Sequence, residues 1–450
     1  MKKVDFERGG LTQNILQTAF PLLVAQVLNL LYSIVDRVYI GRIPGAGTAA
    51  LGAVGLCFPV IMIIAAFTNM YGMGGAPLFA IALGKKERKR ADDLQNTALR
   101  LLLLTAMIIF ALGEIFGGNL LRLFGATDAE LPTSLSYLRF YLPGTLPLMI
   151  SAGMSPFINA QGYSSVSMIA VMVGAGANLI LDPLFIFRLG LGVEGAAIAT
   201  VISQFLALIV TLKFLLGKEN EFPVRIAFRF PYAGEIMSLG LSPFIMQATN
   251  SLVQISCNNV LMHFGGAAYV SIMTIVSSVR SILDTPVMAL TEGTSPVISY
   301  NYGAARPENV KRAIRLMVAL CFSYTVTMWL LLFFHPRFFV RIFSTDPELV
   351  QECSRALHLY FFAFVFQTLQ YSGQTVFKAL NKKRRTIFFS LLRKAVLVVP
   401  LTFALPYLFG WGTDGVFMAE PISNVIGGTA CFVTMRLTIW PELDKTGNGR

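Results

Sequence analysis

Apolar segments of about twenty residues recur from one end of this chain to the other, and their length restricts the fold more than any other feature. A helix rising 1.5 Å per residue needs roughly that many to cross a hydrocarbon layer of about 30 Å. Hydrocarbon offers the backbone no water, so a spanning segment must satisfy its own N–H and C=O groups, as a helix does. The segments fall at 14–39, 47–72, 93–117, 132–157, 163–187, 193–216, 235–262, 267–290, 312–335, 354–377, 386–409 and 414–437. The expected fold class is an all-α polytopic membrane protein with twelve transmembrane helices. Composition agrees, with 55% hydrophobic and 13% charged residues, about half the charge of a soluble domain. No hydrophilic block is long enough to fold outside the membrane. The first segment is not followed by a small-residue cleavage site and reads as a retained span. Cys57, Cys257, Cys321, Cys353 and Cys431 are odd in number and scattered through apolar sequence, which indicates neither a disulfide framework nor a metal cluster.

A net charge of +12 would suit a nucleic-acid binder if the basic residues formed one patch. They occupy alternate loops instead. Lys2, Lys3 and Arg8 precede the first span; Lys85, Lys86, Arg88, Lys89 and Arg90 follow the second; Lys213, Lys218, Arg225 and Arg229 accompany the sixth-to-seventh connection. Further clusters follow the eighth, tenth and twelfth spans, whereas the opposite loops hold only Arg42, Arg122, Arg188, Arg337 and Arg341. The positive-inside rule then orients a plasma-membrane protein with both termini in the cytoplasm and accounts for the charge without nucleic acid.

The chain also repeats itself. GLGVEGAAIATVISQ (190–204) returns as GWGTDGVFMAEPISN (410–424), identical at six of fifteen positions. An offset of 219 places RLF (122–124) on RIF (341–343), Tyr141 on Tyr360, Ala160 on Ala379, and Gly84 on Gly303. ATDAEL (126–131) matches STDPEL (344–349) after a shift of one residue. The halves, 1–218 and 219–450, are expected to be two pseudo-symmetric six-helix bundles. Six spans per copy is an even number, so the repeat is parallel about an axis along the membrane normal, an architecture suited to secondary transport.

A charge at mid-bilayer costs at least about 2.5 kcal/mol, so each buried acid asks for a reason. Asp36 in LNLLYSIVDRVYIG is a coupling-ion candidate or an interfacial partner of Arg37. Asp182 in GANLILDPLFIF lies one helical turn from Asn178 on the same face, either a ligand pair or a self-satisfied hydrogen-bonded pair. Pro183 removes one helical hydrogen bond and frees the carbonyl four residues back, a hard oxygen beside the carboxylate. Thr200 adds a hydroxyl from the next span, or simply packs. In the second half Asn258 stands where Asp36 does and Glu420 where Thr200 does, so the scaffold was kept while the acids diverged. Glu292 in TEGTSP, Glu420 in MAEPIS and Asn258 form a candidate substrate or second acidic site. Arg280 and Asp284, four residues apart, are expected to pair with each other. The glycines of MYGMGGAP (70–77) and SAGMSP (151–156) permit close helix approach. Neither a catalytic constellation nor a phosphate-binding loop is present, so the chain is not read as an enzyme or an ATP-driven pump.

With these features the chain resembles the multidrug and toxic compound extrusion (MATE) transporters over nearly its whole length. FPLLVAQVLNLLYSIVDRVYIG (20–41), the glycine before each basic loop (Gly84 and Gly303) and GLGVEGAAIATVISQ carry the resemblance. Among bacterial members it is most similar to the staphylococcal MepA-like multidrug-export subgroup. The resemblance implies a V-shaped pair of bundles that export amphipathic, often cationic drugs and dyes in exchange for H⁺ or Na⁺. It also implies a cation site made of Asp36, Asn178, Asp182 and Thr200, with Glu292 in substrate or ion handling. Cation loading would bend the first helix near Pro21. The implied partners are small molecules and the lipid bilayer, with the chain acting as a monomer and needing no cofactor beyond the coupling ion. A flippase of lipid-linked saccharide precursors is the competing transport class, which would show more basic residues than Arg280, Arg393 and Lys394 inside the protein.

Overall fold

The structure, a computed structural model, describes residues 3–225, 227, 229–343 and 346–448; the first two residues of the STDPEL loop lie outside this set. Twelve long helices follow one another, with a short helix Pro336–Arg341 between the ninth and tenth, and no strand occurs among the described residues. They are α1 Leu11–Gly41, α2 Gly47–Gly84, α3 Arg88–Leu123, α4 131–160, α5 Ser164–Arg188, α6 Gly192–Leu215, α7 233–265, α8 Ala268–Gly303, α9 Pro307–Phe334, α10 347–379, α11 Lys383–Tyr407 and α12 Gly412–Lys445. Nine described helices are uninterrupted and apolar enough to cross a bilayer. The other three segments depart from that standard for local reasons. α4 is broken by a 3₁₀ turn at Leu142–Gly144, which contains Pro143, and α10 is broken between Phe361 and Phe364. α7 is diluted by polar residues and passes into α8 through Gly266, whose φ of 67° no helix accommodates.

Several helices outrun the apolar segments that announce them, because hydropathy follows the hydrocarbon whereas a helix continues until its backbone is stopped. α2 continues to Gly84, where Lys86 enters the left-handed region (φ 62°). The Lys86 and Glu87 N–H groups then donate to the Leu83 and Ala82 carbonyls, both at 2.9 Å. This is a Schellman closure. An offset of 219 residues leads to the same turn in the second half. Ala305 has φ 52°, and the Ala305 and Arg306 N–H groups donate to Tyr302 (3.1 Å) and Asn301 (3.0 Å). The repeat is therefore one of backbone conformation as well as of letters. The α5–α6 and α11–α12 turns agree: Gly190 and Gly192 have φ of 66° and 56°, and Gly410 and Gly412 have 70° and 52°. Side chains there would strain the backbone, which accounts for glycine at both places in both copies.

By its contacts the chain divides into two compact units. The first comprises Met1–Asp5 with Phe20–Gly240, and the second Phe6–Ala19 with Leu241–Arg450. One boundary precedes α1, and the other two fall inside α1 and α7 rather than in loops. In the first unit α2 meets α4 so closely that a β-carbon on Gly72 would lie 2.7 Å from the Gly153 carbonyl oxygen. Beyond the helices, Lys3 donates to Glu221 at 2.5 Å and holds that carboxyl below the usual carboxylate range. The pair is half-exposed and contributes little to stability. The second unit is built around a core that includes Leu261, Val276, Leu283, Leu357, Phe361 and Phe417, all nearly or fully buried.

The α2–α4 contact makes Gly72→Ala destabilising by about 1–3 kcal/mol, the usual cost of overpacking. Gly52→Ala, whose β-carbon meets nothing within 4 Å, should leave the thermal midpoint of the detergent-solubilised protein unchanged. Equal midpoints for the two variants would refute the close approach.

Candidate ion site and a buried charge cluster

The α5–α6 pair is the most extensive helix contact in the first unit and aligns three polar side chains. Asn178 and Asp182, one turn apart on α5, are 1% and 0% exposed, and Thr200 on α6 is buried beside them. Asn178 Nδ2 donates to Asp182 Oδ1 at 3.0 Å and approaches Thr200 Oγ1 at 3.4 Å. Asp36 near the end of α1 completes the group, its carboxyl in contact with that of Asp182. Asp36 Oδ1, Asn178 Oδ1 and Asp182 Oδ2 are buried without a hydrogen-bond donor. Such acceptors are normally satisfied, and two touching carboxylates repel unless a positive charge lies between them. A proton shared by the pair, or a hard cation taking these oxygens as ligands, meets both requirements.

The helices treat the two sides of this group differently. Ile40, Ile186 and Ala196, each four residues from Asp36, Asp182 and Thr200 respectively, pack with Ala50 into a small apolar plug toward the α1–α2 and α5–α6 loops. Pro183 lies between site and plug and is followed by a π-helical turn, Leu184–Arg188, which sets Ile186 into that cluster. On the other side Asn178 and Thr200 line a cavity of about 140 Å³, together with Tyr32, Ser151, Ser155 and Gln204. Pockets for drug-sized ligands run from about 300 Å³ upward, so this volume suits a few waters and an ion. Pro21 lies within the continuous helix α1, two residues past the point where the chain changes unit.

The second unit gathers a different set. Glu420, 3% exposed on α12, is met by Arg280 Nη2 from α8 and by Arg393 Nη1 and Lys394 Nζ from α11, all at 2.9 Å from the same oxygen, Oε1. Arg393 also donates to Asn424 Oδ1 at 2.9 Å. Arg280 pairs with Asp284 at 3.2 Å, as their spacing implies, and donates to the Tyr360 hydroxyl at 2.7 Å. Gln367 Nε2 and the Tyr371 hydroxyl complete the Asp284 shell. Glu292 stands apart on α8 with Lys378 of α10 as its charge partner. Asn258 is half-buried on α7, accepting from Gln254, and joins neither group.

Sequence reasoning identified Asp36, Asn178, Asp182 and Thr200, which the fold unites. It did not connect Arg393 and Lys394 to Glu420. The available signal was the one used for the acids, since two cations in an apolar span also need a reason.

Comparison with known proteins agrees with this architecture. A FAD transporter of Shewanella oneidensis is 26% identical over 426 residues, covering 93% of each chain. The multidrug export protein MepA of Staphylococcus haemolyticus is 24% identical over 446 residues, covering 98% of this chain and 97% of its own. A solved MATE family transporter in an outward-facing conformation superposes with a TM-score of 0.91 at 22% identity, over 99% of both chains, which supports the fold. The MatE family model matches twice in succession, at residues 21–184 and 243–404, and so covers most of the sequence. The chain belongs to the MatE family, the multidrug and toxic compound extrusion transporters.

Proposed function

We propose that this protein is a cation-coupled antiporter that exports amphipathic drugs and dyes, often cationic, by alternating access in exchange for H⁺ or Na⁺. The observation that carries the reading is the buried group of Asp36, Asn178, Asp182 and Thr200 with its donor-less oxygens. Family membership and the export activity named for MepA support it; the FAD transporter argues for a broader substrate range than drugs alone. The protein acts as a monomer in the plasma membrane, both termini cytoplasmic.

In this mechanism a proton or Na⁺ enters from the hydrated cavity and neutralises the Asp36–Asp182 pair. Once neutral, the pair no longer resists burial, and α1 bends near Pro21, close to where the chain passes from one unit to the other. The apolar plug keeps the ion from leaking through while the pair is loaded. Ion and drug occupy the protein in alternation, so ion entry drives drug release. Each charge crossing 100 mV is worth about 2.3 kcal/mol. One-for-one exchange of H⁺ against a monovalent cationic drug moves no net charge and draws on the pH gradient alone. Two ions per drug would recruit the voltage.

Asp36→Asn and Asp182→Asn should each abolish dye efflux from cells while preserving membrane insertion. Retained efflux in both variants defeats the assignment, and absence of efflux in the parent protein favours a saccharide-lipid flippase instead. Collapse by a protonophore identifies H⁺ as the ion, and dependence on added Na⁺ identifies Na⁺.

The plug makes a separate prediction. Ile40→Ala combined with Ile186→Ala should raise ion leak through proteoliposomes in the absence of drug, read with a pH- or Na⁺-sensitive dye. An unchanged leak would remove the plug from the mechanism.

A further inference from the structure

The charge cluster of the second unit occupies the position of the first unit's cavity. At the offset of 219, Gln367, Tyr371 and Gln374 on α10 correspond to Leu148, Ala152 and Ser155, which line that cavity. Arg393 and Lys394 correspond to Gly174 and Ala175, which also line it. At the offset of 220 that aligns the two glycine turns, Glu420 and Asn424 correspond to Thr200 and Gln204, again lining residues. The duplicated fold thus carries the same pocket position twice. Small side chains leave it open in one copy, and two long cations enter it in the other.

Basic groups outnumber acidic ones there. Arg280, Arg393 and Lys394 face the carboxylates of Glu420 and Asp284, three bases against two acids, inside an apolar bundle. All three cations converge on Glu420 Oε1. Lys394 Nζ, with three hydrogens, has Glu420 as its hydrogen-bond partner. Holding all three bases protonated in low dielectric is costly unless a further anion accompanies them, so the cluster is suited to receive one. The polar side chains of α10 at Gln367, Tyr371, Gln374 and the half-buried Lys378 run on from the cluster along one helix face, and Arg280 retains 17% exposure.

We propose that this cluster is an anion-binding subsite that takes the carboxylate or phosphate group of an exported organic anion. Glu420 acts as the internal anion that holds the three cations together and competes with the ligand. The inference rests on the exporter reading for its role in transport, but binding at the subsite can be measured without transport.

The test uses the purified full-length protein and two dyes sharing a xanthene frame, the fluorescein dianion and the rhodamine 123 cation, with binding read by fluorescence anisotropy. Fluorescein should bind the parent protein, and Arg393→Gln or Lys394→Gln should weaken it by about tenfold or more, as expected for loss of a buried charge partner. Rhodamine 123 should respond to these variants much less. Glu420→Gln should tighten fluorescein binding by removing the competitor, which gives an opposite and independent readout if the cation variants fail to fold. Displacement by phenyl phosphate or by benzoate ranks phosphate against carboxylate. Fluorescein binding unaffected by Arg393→Gln and Lys394→Gln, an equal loss of both dyes, or no tightening in Glu420→Gln would overturn the proposal. Fluorescein binding that depends on Arg393 and Lys394 in a parent protein that transports neither dye would support the subsite and count against the exporter reading alone.

Discussion

Every charged group held among these apolar helices must be neutralised where it stands, and the two halves meet that requirement in opposite ways. In the first unit the carboxyls of Asp36 and Asp182 face each other, and each keeps a buried oxygen with no hydrogen-bond donor among the described residues. In the second unit a carboxylate is surrounded by three cations fixed in the chain. The same requirement is thus met by bare oxygens in one unit and by fixed basic side chains in the other.

The duplicated scaffold makes this difference possible. The turns that close each half are set by left-handed residues at matching positions, Lys86 with Ala305, Gly190 with Gly410 and Gly192 with Gly412. With the backbone thus specified twice, the side chains between the turns could diverge without altering the path of the helices. With Arg393 and Lys394 at the positions of Gly174 and Ala175, a charge cluster stands on the frame that holds a cavity in the other copy. The apolar cluster beside Asp36, Asp182 and Thr200 is a product of the same frame, since Ile40, Ile186 and Ala196 sit one turn from the polar residues they cover.

Much of this was legible in the residues. Span number followed from run length, because a bilayer has a set thickness and a helix a set rise. Asn178 and Asp182 were recognisable as a pair because four residues return a helix to the same face. The helix ends were less legible: α2 and α3 continue well past their apolar segments, stopped by backbone geometry to which hydropathy is blind. Asn258 was grouped with the second acidic site by alignment, yet its side chain pairs locally with Gln254.

Local order in the chain therefore dictates the helices, their repeat and the pairs lying within one helix, because those depend on residues a few positions apart. Which charges meet across helices depends on how α8, α11 and α12 pack. Arg280, Arg393, Lys394 and Glu420 come from three separate helices, and no spacing in the sequence encodes their convergence on one oxygen. The contact between Asp36 and Asp182 is of the same kind. It exists because side-chain packing brings the end of α1 against α5, and with it two carboxyls into a place where one positive charge serves both.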